Sequence, residues 1–293
     1  MLTRDPKPEE DLVMSRTAPF VAALVLAMGF VPTAGPAADL PDRIARTKVI
    51  TVAVNAIYPP MEFKDPQSGA LVGFDVDLGN ALAKVLGVRF DWQESAFEQL
   101  LPSLATGRAD LILSGLSDRP ERRESADFID YLKSGAQFFV LSDRAGEFRT
   151  PGDLCGKSVG TSRSTSFPKQ IETWSAENCQ AAGKPAISVV GTEDTASARS
   201  QLKQRRLDAA VQGSETIPYA MTLEPDVYRP LGTPFTSVSQ GIAFTKQDTQ
   251  LRDAVLAALT AVMADGTYAA IVAKWHLEAS AAQQITLNGA PLP

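Results

Sequence analysis

The chain has 293 residues, 44% of them hydrophobic and 21% charged, and its 34 acids against 28 bases give a net charge of −6. That balance belongs to a folded globular protein with material for one large or two ordinary domains, and it lacks the basic excess that nucleic-acid binding requires. One histidine, His276, and two cysteines leave almost nothing for His-based catalysis or a structural zinc site, so no metal, cofactor or nucleic acid is expected.

The N-terminus carries an export pattern. Met14-Ser-Arg16 is a short positive region, Pro19 to Val31 is apolar, and Thr33 to Ala38 is rich in small residues. This is the order of a cleaved secretory signal, and it is too short for a stop-transfer helix. Residues 1–38 are therefore expected to be a signal, cut within 35–38, with an uncleaved anchor as the alternative. Residues 1–13 hold Asp5, Glu9, Glu10 and Asp11 and fit no signal, which makes Met14 a candidate for the true start. No later segment is long and apolar enough to span a membrane, so the mature protein is expected to be exported and soluble. In an oxidising compartment Cys155 and Cys179 are expected to pair, two buried free thiols being the alternative.

The mature chain then alternates strand and helix. Lys48 to Asn55 reads as a strand, and Tyr58-Pro59-Pro60 stiffens the loop after it. Met61–Phe63 and Leu71–Phe74 flank a turn and read as a hairpin. Leu78, Ala81, Leu82 and Val85 have helical spacing, as do Phe97, Leu100, Leu101 and Leu104, with a strand over 89–93 between them. Strands follow at 111–113, 136–141, 157–161, 186–190, 208–211 and 237–245. Helices are predicted up to Cys179, around Ala198 and Leu202, over 251–262 and over 268–275. The tail from Glu278 has little pattern and is expected to fray or lie on the surface. Within this order a short motif recurs: Leu104-ATGRADLILSG and Leu202-KQRRLDAAVQG share a helix end, Arg-x-Asp, a buried strand and a closing glycine. Two similar α/β halves follow from that.

Residues 107–122, GRADLILSGLSDRPER, carry the chemistry. A buried strand runs out into Ser114, Gly115 and Ser117, a helix start is predicted at Asp118–Glu121, and Arg122 sits about one turn in. Helix-start amides, hydroxyls and a guanidinium suit a carboxylate. No nucleophile or general base lies in the stretch.

Tyr58-PPMEF, Leu71-VGFDVDLGNALAKVLGV, Gln99-LLPSLATGRADLILSGLSDRPER, Asp127-F, Asp153-LCGKSVGT, Arg206-LDAA and Ala264-DGTYAAIVAKW, in this order, resemble the periplasmic solute-binding proteins of ABC importers, in the polar amino-acid branch. The resemblance covers about residues 48–276. It implies a type II periplasmic-binding fold: two doubly wound α/β lobes, 46–134 plus 239–293 and 135–238, joined by two hinge strands and closing on a ligand. It also implies a periplasmic monomer that is no enzyme, holds a small carboxylate-bearing solute and delivers it to ABC permease subunits. Tyr58 then covers the ligand side chain, and Phe97 forms an apolar wall. Ser114, Ser117 and Arg122 clamp a carboxylate where Gly115 lets the backbone approach, and Ser164, Thr165 and Ser166 form a hydroxyl loop in the second lobe. Core packing is the alternative for Tyr58 and Phe97, a surface charge for Arg122, and a helix cap for residues 164–166. The chain departs from the family in two places. Gly213 stands where the family usually has the acid that holds the ligand's ammonium, and Asn55 where some members have Asp. Either Glu215 substitutes, or the ligand lacks a conventional α-ammonium. Two other readings stay open: an exported enzyme resembling cyclohexadienyl dehydratase, with Glu215 as its acid, and a sensor presenting its bound state to a membrane partner.

Overall fold

A computed structural model describes residues 39–292, so the expected signal lies outside the described residues. The first elements are α1 (Asp42–Thr47), β1 (Val49–Val54), β2 (Ile57–Tyr58), β3 (Glu62–Lys64), β4 (Leu71–Val72), α2 (Phe74–Leu86), β5 (Arg89–Glu94), α3 (Leu100–Ala105), β6 (Leu111–Ile112), α4 (Pro120–Arg123) and β7 (Ala126–Ser134). Next come β8 (Ala136–Leu141), β9 (Ser158–Ser162), α5 (Phe167–Asn178), β10 (Ser188–Thr192), α6 (Thr195–Lys203), β11 (Ala209–Gly213), α7 (Ile217–Leu223) and β12 (Tyr228–Leu231). The chain returns through β13 (Val238–Thr245) and ends with α8 (Thr249–Ala264), α9 (Thr267–Lys274), β14 (Ala281–Leu287) and β15 (Ala290–Pro291).

Two large sheets result. One has the order β15-β14-β7-β13-β6-β1-β5 and the other β10-β9-β11-β8-β12, while β2, β3 and β4 form a small sheet of their own. β1 lies parallel between β5 and β6, and β9 parallel between β10 and β11. A short strand with helices on both sides is buried on both faces, which explains the unbroken apolar run Leu111-Ile112-Leu113, each fully buried. Leu78 and Leu82 of α2 share a core with Leu251, Val255 and Leu259 of α8. A second core gathers Phe138, Val140, Val159, Ile171 and Val211. Each such side chain contributes about 1.5–3 kcal/mol by leaving water.

The recurring Arg-x-Asp motif does the same job in both sheets. Asp110 Oδ2 accepts the amide of Thr51 in β1 (2.7 Å), and Asp208 Oδ2 accepts the amide of Ser158 in β9 (2.9 Å). Each aspartate also bonds an arginine, Arg43 and Arg144 respectively. Each therefore ties the start of one parallel strand to its neighbour. The two sheets are joined twice: β7 runs into β8 through Gly135, and residues 232–237 lead from β12 back to β13. β13 pairs antiparallel with β7 along its length, so the two crossings lie side by side.

Several expectations need correction. The tail does not fray: β14 pairs with β7 and burying Ala282 and Ile285 holds it there. Its pairing comes from the exposed edge of β7, which no local pattern announces. α4, the helix expected to start at Asp118–Glu121, is a single turn over Pro120–Arg123, and Asp118 forms an ion pair with Arg123. α7 and β12 were not predicted, and the helix expected from Phe97 opens with a 3-10 turn over Phe97–Gln99. Cys155 and Cys179 form the expected disulfide, which by loop closure is worth about 3 kcal/mol. Among the described residues no single helix is long and apolar enough to cross a membrane.

Candidate ligand-binding site

A cavity of about 270 Å³ opens between the two large sheets, where the C-terminal ends of β1, β6, β9 and β10 give way to loops. Strand ends flanked by helix starts are the usual place for a ligand in α/β folds, and the volume suits a small solute.

One wall comes from the first sheet. Asn55 and Tyr58 follow β1, Phe97 opens the turn before α3, and Ser114, Gly115, Ser117 and Arg122 follow β6; all seven line the cavity. Gly115 has φ +52°, a left-handed conformation that favours glycine, and the Tyr58 ring packs where a Cβ would stand, about 3.1 Å away. Asn55 is anchored through its side-chain nitrogen to the Ser95 carbonyl (2.8 Å). The opposite wall is the loop from β9 to α5, where Ser164, Thr165 and Ser166 also line the cavity. Thr165 Oγ1 donates to the Ser162 carbonyl (2.8 Å) and accepts the Phe167 amide (3.2 Å), so this residue shapes the turn as well as facing the cavity. Ser134 and Gln240 on the two crossing strands also line the cavity.

Arg122 is a charged residue of this wall. Its neighbours Arg119 and Arg123 are paired with Glu121 and Asp118, but Arg122 is in no ion pair among the described residues. Its Nη1 donates to the Ser117 carbonyl (2.9 Å), and its guanidinium lies over the Phe97 ring, 5.6 Å from the centroid. Burial, reinforced by the nearby Arg119 charge, pushes its pKa down to about 10. A partly buried guanidinium is stabilised by an anion placed beside it.

Gly213 and Glu215 are the two expected site residues outside the lining. Glu215 is 2% exposed and sits behind the wall, where its carboxylate accepts the Tyr58 hydroxyl (2.7 Å), the Ser134 hydroxyl (2.5 Å) and the Gln240 amide (2.8 Å). All three donors line the cavity, so Glu215 braces the wall and does not face its interior. A Cβ at position 213 would overlap the Glu215 carboxylate and the Tyr58 hydroxyl, so glycine here makes room for that pair.

Sequence reasoning missed Ser134 and Gln240, and also Glu62, Arg163, Glu193 and Asp194, which line the cavity as well. Arg163 could have been found, since it lies inside the Ser162–Ser166 hydroxyl run. The others depend on strand crossings and turns that bring distant segments together.

The family described as bacterial extracellular solute-binding proteins, family 3, matches residues 50–278. The chain is 32% identical to the arginine-binding protein ArgT of Corynebacterium glutamicum, over 87% of this chain and 83% of that one. It is 27% identical to the L-cystine-binding protein TcyJ of Escherichia coli, over 87% and 92% of the two chains. Among solved structures, a mutant of ArgBP from T. maritima aligns with a TM-score of 0.70 at 31% identity, covering 81% of this chain and 99% of that one. An ancestral amino acid-binding protein described as a precursor of cyclohexadienyl dehydratase aligns with a TM-score of 0.70 at 30% identity, covering 80% and 98%. With the family match spanning most of the chain and the two-sheet architecture that these structures share, this protein belongs to the bacterial extracellular solute-binding proteins, family 3.

Proposed function

We propose that this chain is the periplasmic substrate-binding component of an ABC importer. It acts as a monomer of two lobes, 46–134 plus 239–293 and 135–238, that close on a small carboxylate-bearing solute and hand it to membrane permease subunits. The observation that carries this reading is Arg122, a half-buried guanidinium on the cavity wall with no acid paired to it among the described residues. Burying an unpaired cation is unfavourable, and a ligand carboxylate relieves it. The solute is a polar amino acid or a derivative of one. The named relatives bind arginine and cystine, which supports that class. Glu98, Glu193 and Asp194 in the lining supply negative charge for a ligand's cationic end. Glu215 does not take that role in this arrangement, because its oxygens are already held by Tyr58, Ser134 and Gln240. The same saturation speaks against Glu215 as the acid of a dehydratase, and we read the protein as a carrier without chemistry of its own. The disulfide fits an oxidising compartment, in keeping with export.

The test is a thermal-shift screen of amino acids, opines and dicarboxylates, with L-arginine, L-histidine and L-cystine first. One class is expected to raise the Tm of the wild type, and Arg122→Ala is expected to lose that shift, with affinity down at least about 30-fold. Unaltered binding by Arg122→Ala removes the clamp from the account.

A further inference from the structure

Two acids beside the cavity are unused by the reading above. Glu62 in β3 and Asp75 in α2 are 1% and 0% exposed. Glu62 Oε1 accepts the Ser114 hydroxyl at 2.8 Å, and that hydroxyl oxygen accepts the Asn55 amide at 2.9 Å. Asp75 Oδ2 accepts the Gly115 amide at 2.7 Å and the Tyr131 hydroxyl at 3.0 Å. The remaining oxygens, Glu62 Oε2 and Asp75 Oδ1, are buried and meet no donor elsewhere among the described residues. The groups they hold, the Ser114 hydroxyl and the Gly115 amide, are neighbours in the chain, which sets the two carboxyls close together.

Two ionised carboxylates buried side by side repel, and each would keep an unsatisfied oxygen. A single proton between them turns both defects into one hydrogen bond. The surroundings favour keeping that proton. Tyr131 of β7, Tyr58 of β2 and Glu215 after β11 are the titratable groups facing the pair, and each is neutral or negative. Burial, followed by the Asp75 charge, holds the Glu62 carboxyl well above the usual carboxylate range, and burial raises Asp75 to about 6.

We infer that Glu62 and Asp75 share one proton, and that this proton fixes the Ser114 hydroxyl and the Gly115 backbone at the cavity wall, so that ligand affinity falls when it is lost at alkaline pH. The inference rests on the cavity being the solute site. Glu62 and Asp75 are positioning residues: they act through Ser114 and Gly115, both of which line the cavity. With the proton gone, the pair separates and the turn that carries Ser114 and Gly115 shifts with it.

The test compares the wild type with Glu62→Gln, whose amide oxygen still accepts from Ser114 and whose amide nitrogen donates to Asp75 without a titratable proton. The dissociation constant for L-arginine is measured between about pH 6 and pH 9. The wild-type value is expected to rise by about tenfold more than that of Glu62→Gln, which carries the ligand's own titration as a reference. Glu62→Ala, which leaves Ser114 without its acceptor, is expected to bind several-fold more weakly than Glu62→Gln across the range. Superimposable pH profiles for the wild type and Glu62→Gln overturn the inference. A ligand-independent arm separates it from the binding reading. The infrared carbonyl band of a protonated carboxyl, recorded without solute at neutral pH, is expected in the wild-type minus Glu62→Gln difference spectrum. If L-arginine does not bind but the band is present, the choice of solute fails and the shared proton stands. If the band is absent, the shared proton falls whatever binds.

Discussion

Tyr58 does two jobs at the cavity wall. Its ring lies over Gly115, and its hydroxyl donates to Glu215 behind the wall. Removing that hydroxyl in Tyr58→Phe takes one of three donors from a fully buried carboxylate. The expected loss is about 1–3 kcal/mol, read as a lower Tm without solute. Gly213→Ala places a methyl on the same oxygens and is expected to lower Tm at least as far; an unchanged Tm in both variants contradicts the bracing role. At this scale the types of residue were legible, because an arginine beyond a strand-end serine, and a tyrosine held by two prolines, carry their chemistry on their face. Glu62 and Asp75 were not legible as a pair. One reads as the polar member of a short hairpin and the other as an acid in a helix's first turn, and only the close approach of β3 to α2 makes them a buried couple. Glu215 was singled out as a possible ammonium partner, yet its placement behind the wall depends on Ser134 and Gln240, which are distant in sequence.

The elements follow the hydrophobic periodicity closely where a strand or helix buries its own face, as in β1, α2 and α8. They depart from it where tertiary pairing decides. The β14–β15 hairpin is the clearest case, since Gln283 and Gln284 interrupt any apolar alternation and its anchor lies in β7. Asp130 of β7 accepts the Thr286 hydroxyl and the Gly289 amide (3.1 Å), while Asn288 bonds the Phe128 amide (2.8 Å). Burial, with Asp118 close by, raises Asp130 to about 7. An acid whose pKa is higher in the folded state than in the unfolded chain binds its proton more tightly when folded. Its contribution is therefore fully present below the unfolded value of about 4 and is lost as pH rises to about 7. Asp130→Asn, which keeps an acceptor and cannot ionise, is expected to be the more stable protein by on the order of 1 kcal/mol at about pH 8, with a smaller difference at about pH 5. A Tm difference that is the same at both values contradicts this.

At the scale of the whole molecule, the repeated Arg-x-Asp motif was the legible sign of two similar halves, and Asp110 and Asp208 show why it recurs: each pins the start of a parallel strand. What no sequence pattern states is how the halves meet. Phe63 and Trp275 from the first half flank Tyr219 of α7, with ring centroids 5.7 and 6.4 Å from it, and Tyr58 reaches Glu215 across the same gap. These contacts join the two halves, and under the proposed function a hinge at the paired crossings breaks and remakes them around a ligand. Closure has a purpose only if something in the cavity answers Arg122. The most direct test is calorimetric titration of the wild-type protein with the solute that stabilises it best and with the same solute carrying a carboxamide in place of its carboxylate. The account predicts that the carboxylate binds and the carboxamide binds at least about 100-fold more weakly. Equal affinity for the two would contradict it.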